Sequence, residues 1–446
     1  MQAPPARPGA SSLERDGAMS LSRDSYKASW DAHAWAGVVI GLFVAVMFGT
    51  GTAVVFHDPI ETWQDPYAQK VAPETSYQRL TELATQEFDG EIPARFSLLV
   101  DHGERGYPRL AYFSSETGRY TEDWIDPSRG IIVDKPDKLA TLLYHIHTLY
   151  DARFPTLYYL AGLVSLVMLL VLATGLLIQW HNLVRQFHQF RADATPFVRW
   201  NDMHKVISVA GFPFQLFYAY SAVIIVLGPF FIDAVAGPSF GGDRAAARRA
   251  SVGALAPPPK PGPEAGATSV DLLVEAAREA VEGLQVQKLT VHNWGHQHGC
   301  VDVHGEVAGQ RFSRARVRIG LVDGAIREVS TPHDQSWAVE IRRWLIEVHG
   351  VQLGGFGTQL LFAFLSLACA ASMLAGIAVW LARRRRSRDA LVDRILEKLT
   401  AGVGTGTVVA LAAAFVASRL LPWGMEARWR FEELSYLLTW LACVAV

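Results

Sequence analysis

Charge is scarce in this chain, and cysteine scarcer. Only 19% of the 446 residues are Asp, Glu, Lys or Arg, and four stretches, 34–56, 158–180, 206–232 and 351–382, contain no Lys or Arg. Each reaches the roughly 20 residues that cross a bilayer core, which argues against a wholly water-soluble chain. The three cysteines, Cys300, Cys369 and Cys443, are too few for a disulfide framework, and two of them lie in apolar runs as small fillers. Cys-x-x-Cys-His is missing, which argues against covalently attached haem. Phosphate-loop, dinucleotide and flavin fingerprints are missing too, as are Gly-x-Ser-x-Gly and His-Glu-x-x-His, so any reductant is external. The apolar runs also lack the internal Asp and Glu with which a cation transporter would work.

What charge there is has a pattern. Arg23 and Lys27 precede the first run; Arg185, Arg191 and Arg199 lie between the second and third; Arg383, Arg384, Arg385, Arg386, Arg388, Arg394 and Lys398 follow the fourth. The positive-inside rule puts these segments, and with them the N-terminus, in the cytoplasm. Beside a span, the Arg383 run reads as a topology anchor, with no nucleic acid implied. The expected organisation is a disordered tail (1–25), span 1 (26–57), an outer domain (58–144), span 2 (145–181) and a cytoplasmic loop (182–203). Span 3 (204–232), a second outer domain (233–345) with a linker (240–267), span 4 (346–382), a basic loop (383–400) and span 5 (401–421) follow. A last run, 434–446, is short for a span and is expected to be interfacial, tilted or incomplete. Span 1 starts too late, is too long and lacks an Ala-x-Ala exit for a cleaved signal peptide.

Each outer segment reads as a small α+β domain. A helix at 77–88 precedes strands at 96–100, 109–114, 118–125 and 130–133; a helix at 269–282 precedes strands at 285–293, 301–307, 313–321 and 325–330. The fold class is therefore a membrane α-helical bundle, four core spans plus a C-terminal pair, with two small periplasmic α+β domains. The two halves repeat one unit of span, domain, span, both entering from the cytoplasm, and sites in such folds often form between repeats.

Four histidines mark the repeat. His33 and His204 each follow a Trp and open an apolar run, in Trp30-Asp31-Ala32-His33 and Trp200-Asn201-Asp202-Met203-His204. His147 and His349 each precede one, 28 residues before Gly175 and 27 before Gly376. Histidine is costly in lipid, so matched placement asks for a reason. Haem iron takes imidazoles on opposite faces, so a bis-His site needs one ligand from each of two facing helices. The pairs His33/His204 and His147/His349 supply two b-type haem sites, one at each face of the membrane. Gly37 and Gly41, on the His33 face of span 1, and Ser208 and Gly211, on the His204 face of span 3, are expected to leave room for the macrocycle. The competing reading makes these interfacial residues that bind nothing. His145 is the alternative outer ligand; His57 and His181 lack repeat partners, and His102 and His188 read as solvated. Tyr144, Tyr150, Phe154, Tyr158, Tyr159, Trp337 and Trp344 read chiefly as an aromatic belt at the outer lipid surface.

A second cluster is His292, His296, His298, Cys300 and His304. On a strand, His296, His298 and Cys300 would share a face, and imidazole with thiolate suits Cu, Zn or Fe. The spacing matches no closed metal site, so a His-rich polar loop is the stronger alternative.

The order Trp30-Asp31-Ala32-His33-Ala34-Trp35-Ala36-Gly37, Asp126-Pro127-Ser128-Arg129-Gly130, Met203-His204-Lys205-Val206 and the histidines before spans 2 and 4 resembles the PepSY-associated transmembrane family, over about 26–385. That family includes iron-regulated inner-membrane proteins and haem-containing reductases of ferric siderophores. The resemblance implies membrane lipid around the spans, two haems, a cytoplasmic or quinol electron donor, and a ferric siderophore or other periplasmic acceptor. A membrane-anchored partner-binding protein without redox activity is the alternative.

Overall fold

The computed structural model describes residues 22–88, 90–100, 106–114, 119–135, 139–150, 154–180, 183, 190–308, 314–384, 390–422, 424–425 and 427–445. Most of the expected tail, most of the basic run after Arg384, and His102, His181 and His188 lie outside them.

Five helices are long and apolar enough to cross a membrane. They are α1 (Arg23–Val54), α6 (Tyr158–Gln179), α8 (Phe212–Phe240), α12 (Phe356–Arg384) and α13 (Ala390–Leu420). Ser22 opens α1 by accepting a hydrogen bond from the Ser25 N–H. Small residues let the spans approach closely. A Cβ on Gly41 of α1 would sit 3.1 Å from Ile377 of α12, and one on Gly162 of α6 2.7 Å from Leu227 of α8. The bundle interior is Ile40, Val44, Phe48, Val164, Met168, Leu172, Ala219 and Cys369.

Shorter helices cap the spans, and here the structure departs from the expected boundaries. His204 lies on α7 (Pro196–Ala210), separate from α8; the chain turns at Gly211, and Pro213, with no N–H to donate, sits in the first turn of the new helix. His147 lies on α5 (Leu139–Thr148), ahead of span α6, and His349 ends α11 (Trp337–His349), ahead of span α12. The sheet-side histidines are thus carried by amphipathic helices at the mouth of the bundle, not by the spans.

The two outer segments do not form two separate domains. Their strands join into one eight-stranded antiparallel sheet, order β4-β3-β2-β1-β5-β6-β7-β8. The first half is β1 (Arg95–Leu99), β2 (Arg109–Ser114), β3 (Arg119–Asp126) and β4 (Ile131–Val133); the second is β5 (Leu284–His292), β6 (Cys300–Val307), β7 (Arg314–Gly320) and β8 (Ile326–Ser330). The seam is β1 against β5, with Phe96 opposite Val291 and Leu98 opposite Leu289. Alternation puts those residues on one face with Leu110, Ile125, Val303 and Val317. They are covered by Leu80 and Leu83 of α4 (Tyr77–Glu87) and Leu273 and Val274 of α10 (Val270–Ala280), giving one core from both halves. Asp271 accepts from the Tyr77 N–H, and Gln78 Oε1 from the Val270 N–H, so each half caps the other's helix.

The opposite, polar face of the sheet is tied to elements that continue from the bundle. Trp124 Nε1 donates to Asp65 Oδ2 at 2.6 Å, and Lys135 pairs with Glu61 of α2 (His57–Gln64). The expected linker is partly helical, α9 (Arg244–Val252), and then pinned: Arg316 donates to Gly253 O, Arg318 to Ala256 O and Asn293 to Pro259 O. The last helix, α14 (Arg428–Ala445), packs along α13, where a Cβ on Gly406 would sit 3.0 Å from Cys443. Ala410, Ala414 and Tyr436 of this pair pack with Ile60, Leu139 and Leu143.

Candidate histidine sites in the bundle

The four repeat-matched histidines share one local device. His33 Nδ1 lies 2.9 Å from the Val171 carbonyl of α6, and His204 Nδ1 lies 2.9 Å from the Ser372 carbonyl of α12. His147 Nδ1 lies 2.7 Å from the Met47 carbonyl of α1. A carbonyl only accepts, so each Nδ1 carries the proton, and the Nε2 lone pair is left free. His349 Nδ1 lies 2.7 Å from Ser221 Oγ of α8; that hydroxyl donates to Tyr218 O and so accepts from the imidazole. Metal-bound histidines are oriented by this kind of partner at the other ring nitrogen.

Three of the rings also lie over a glycine one turn past the carbonyl that holds them. A Cβ would sit 2.9 Å from His33 Cε1 at Gly175, 3.0 Å from His204 Cε1 at Gly376 and 3.1 Å from His147 Cε1 at Gly51. Any other residue would push the ring off its carbonyl. Val171 with Gly175 and Ser372 with Gly376 occupy equivalent places in the two repeats. Each histidine is therefore anchored within its own repeat.

His33 and His204 lie together, with ring centroids 6.2 Å apart and planes inclined by 55°. An imidazole nitrogen is about 1 Å from its ring centroid and a metal–imidazole bond about 2 Å long, so two rings sharing one ion sit at about 6 Å. The residues fit axial ligation of haem on that measure, on the Nδ1 anchors and on the glycine cradles. On the sheet side, His147 is held at Met47, and the next residue, Phe48, packs on Tyr218. Tyr218 packs on His349 at 4.7 Å between centroids, and Phe48, Phe214 and Phe362 surround Tyr218. Deeper in, Gln215 is fully buried, and neither amide atom has a nitrogen or oxygen partner.

The residues expected to clear space for a macrocycle have other surroundings. Gly41 receives Ile377, and a Cβ on Gly37 would meet nothing within 4 Å. Gly211 is the α7–α8 junction, and Ser208 Oγ bonds Ser372 Oγ at 2.8 Å. The glycines beneath the rings are Gly175, Gly376 and Gly51. Sequence reading used the first two only as register marks and passed over Gly51, Tyr218 and Ser221. His145, two residues from His147 and so about 200° round the helix, packs on Tyr150 at 4.8 Å.

The second cluster is not assembled as the pattern suggested. His296 and His298 stand in a turn, not on a strand, because Asn293 and Gly295 adopt positive φ and end β5 at His292. Their Nδ1 atoms are taken by Trp294 O and Lys260 O, while Cys300 is buried at the start of β6. Burial pushes the Cys300 thiol up to about 11, away from the thiolate a metal needs. Among the described residues, the group that brings three potential ligand atoms within 4.8 Å is His57, Asp58 and Glu61, and Glu61 is bonded to Lys135. His292 instead joins a buried network with Asp302 and Arg318. Burial pushes the Asp302 carboxyl up, but the hydrogen bonds from Arg318 and His292 outweigh it and hold it at about 2.

Five apolar crossings beneath a one-sided antiparallel sheet define a multi-pass membrane protein with an extramembrane domain. The chain belongs to the family of the PepSY-associated TM region, whose profile matches residues 30–383. It is similar to an uncharacterised protein of Pseudomonas aeruginosa, 26% identical over 300 residues that span 63% of this chain and 73% of that relative.

Proposed function

We propose that the protein is an inner-membrane electron carrier holding two b-type haems, one between His33 and His204 and one between His147 and His349. Bound there, haem iron supplies reversible one-electron transfer at each face of the membrane. The observation that carries the reading is that all four histidines have Nδ1 tied within their own repeat, while the His33 and His204 rings meet at 6.2 Å across the repeats. In this reading the anchoring carbonyls and Ser221 hold the imidazoles in one tautomer, and the glycines let the rings lie flat on the neighbouring helix. The sheet faces the periplasm, as the basic flank Arg383–Arg384 at the opposite end of α12 suggests. Electrons enter from a cytoplasmic or quinol donor and leave to a periplasmic acceptor, for which the family resemblance suggests a ferric siderophore. Reduction loosens such a chelate because hard oxygen ligands prefer the ferric ion.

The test is spectroscopic. Protein purified from haem-replete cells should show a sharp Soret band that shifts on dithionite reduction. His33→Ala or His204→Ala should each remove one haem of two, and so should His147→Ala or His349→Ala. A colourless protein would sink the proposal in favour of a membrane-anchored binding module.

A further inference from the structure

Part of the cation set on and beside the polar face of the sheet is paired. Arg109 binds Glu122 at 2.7 Å, Arg318 binds Asp302 at 2.6 Å, and Lys135 binds Glu61. Next to them lies a group that is left over. Lys288, His304 and Arg316 stand side by side across β5, β6 and β7. Arg314, two residues before Arg316, shares that face. Arg343 of α11 is tied to Arg314 through Gln335, and the charge of Arg342, next to it on α11, acts on Arg316. Among the described residues, Lys288, Arg314, Arg316 and Arg342 have no carboxylate within ion-pair distance. Five carboxylates act on the group. Asp302 acts on Arg316 and His304 but is held by Arg318, and Glu122 acts on Lys288 but is held by Arg109. The others are Glu306, opposite Arg314 in the β6–β7 register, and Glu347 and Glu340 of α11.

Gathering these cations is unfavourable without a counter-charge. Like charges about 10 Å apart across the sheet repel when water screens them poorly, and Lys288, Arg316, Arg342 and Arg343 are half-buried. Burial lowers Lys288, with Arg95 and Arg316 adding to it, and lowers Arg343 to about 10, with Arg314 and Arg316 adding. Between Lys288 and Arg316, His304 Nε2 is buried with no hydrogen-bond partner. The arginines are held in place. Arg316 donates to Gly253 O, and Arg343 Nη2 donates to Gln335 Oε1, whose Nε2 in turn donates to Arg314 O. A guanidinium has five N–H donors, so Arg316 keeps donors for a ligand beyond its bond to Gly253 O.

We propose that this group is an oxyanion-binding site for a small polycarboxylate. Guanidinium forks match carboxylates bidentately. Three strands spread the cations over about 10 Å, which suits two or more separated carboxylates better than a single compact anion. Arg342 lies seven residues before His349 on α11, a rise of about 10 Å. A ligand held there sits at the mouth of the His147/His349 site. That it is also the electron acceptor rests on the function proposed above; the binding site does not.

Isothermal titration of the full chain in neutral detergent tests the proposal, with citrate as probe and inorganic phosphate as comparator. Citrate should bind, more weakly as salt rises, and Lys288→Gln, Arg316→Gln and Arg342→Gln should each weaken it about tenfold or more. Arg342→Gln lies on a different element from the other two, so failure of a sheet variant to fold leaves the test intact. Arg109→Gln, which breaks a paired cation on the same face, should leave citrate affinity unchanged. No citrate binding, equal or tighter phosphate binding, or binding indifferent to all three variants overturns the site. So does loss of citrate binding in nanodiscs containing phosphatidylglycerol but not phosphatidylcholine, which would make a lipid headgroup the occupant. The Soret band, read on the same samples, judges the haem proposal separately.

Discussion

Gly175→Ala is the most discriminating perturbation of the far-side site. The added methyl would stand 2.9 Å from His33 Cε1. Carbon pairs settle at about 3.5–4.0 Å, so the ring must retreat by about 0.6 Å or more. His33 Nδ1 is 2.9 Å from Val171 O, and a retreat of that size stretches the bond beyond useful range. Losing the partner at the second ring nitrogen costs metal sites about 10- to 100-fold in affinity. Helix propensity runs the other way, since Ala is favoured over Gly by about 1 kcal/mol in a helix interior. The variant should therefore keep its melting temperature while losing haem from one site. Haem per chain, measured as pyridine haemochromogen, should fall from two toward one, with folding followed by circular dichroism. Unchanged haem content in Gly175→Ala, and again in the bulkier Gly175→Leu, would refute the cradle argument. Gly376→Ala, with its contact at 3.0 Å to His204, should reproduce the loss.

Three other outcomes follow from the geometry. His145→Ala should leave the spectrum intact, because its ring packs on Tyr150; loss of the sheet-side haem in that variant, with retention in His147→Ala, would reverse the assignment. Asp302 has its folded pKa depressed from 3.8 to about 2, so its contribution is complete above about pH 4 and is lost as pH falls through about 2. That contribution is about 2 kcal/mol, and Asp302→Asn should remove it at neutral pH and flatten the acid dependence of amide exchange in the sheet. Arg428→Met should leave the fully buried Glu432 with Gln64 but without its cation and lower stability by about 3–5 kcal/mol, read as a fall in melting temperature.

Much of the architecture is legible in the residues. Apolar length alone marks the spans, because a bilayer demands a fixed run of apolar helix, and alternation marks the strands within a residue or two of β2, β5 and β7. That His33 and His204 occupy matching places is also legible, since residue type and register both repeat, and their rings lie 6.2 Å apart. The seam between the two half-sheets is not. An edge strand such as β1 exposes the same backbone groups to any partner, so its side chains do not say that β5 will take them. The break at Gly211 is hidden for a related reason, because an apolar run reads the same through a short turn.

The site divides along the same line. The sequence by itself determined which histidines recur and that the runs 34–56, 158–180, 206–232 and 351–382 carry no Asp or Glu. Only the tertiary structure decided what holds them. Val171, Ser372 and Met47 act through backbone carbonyls, which every residue carries, and Gly175, Gly376 and Gly51 act through an absence of side chain that matters only once a ring lies against it. The cations around His304 are likewise scattered over three elements, and their grouping exists only after β5, β6 and β7 align and α11 packs beside them.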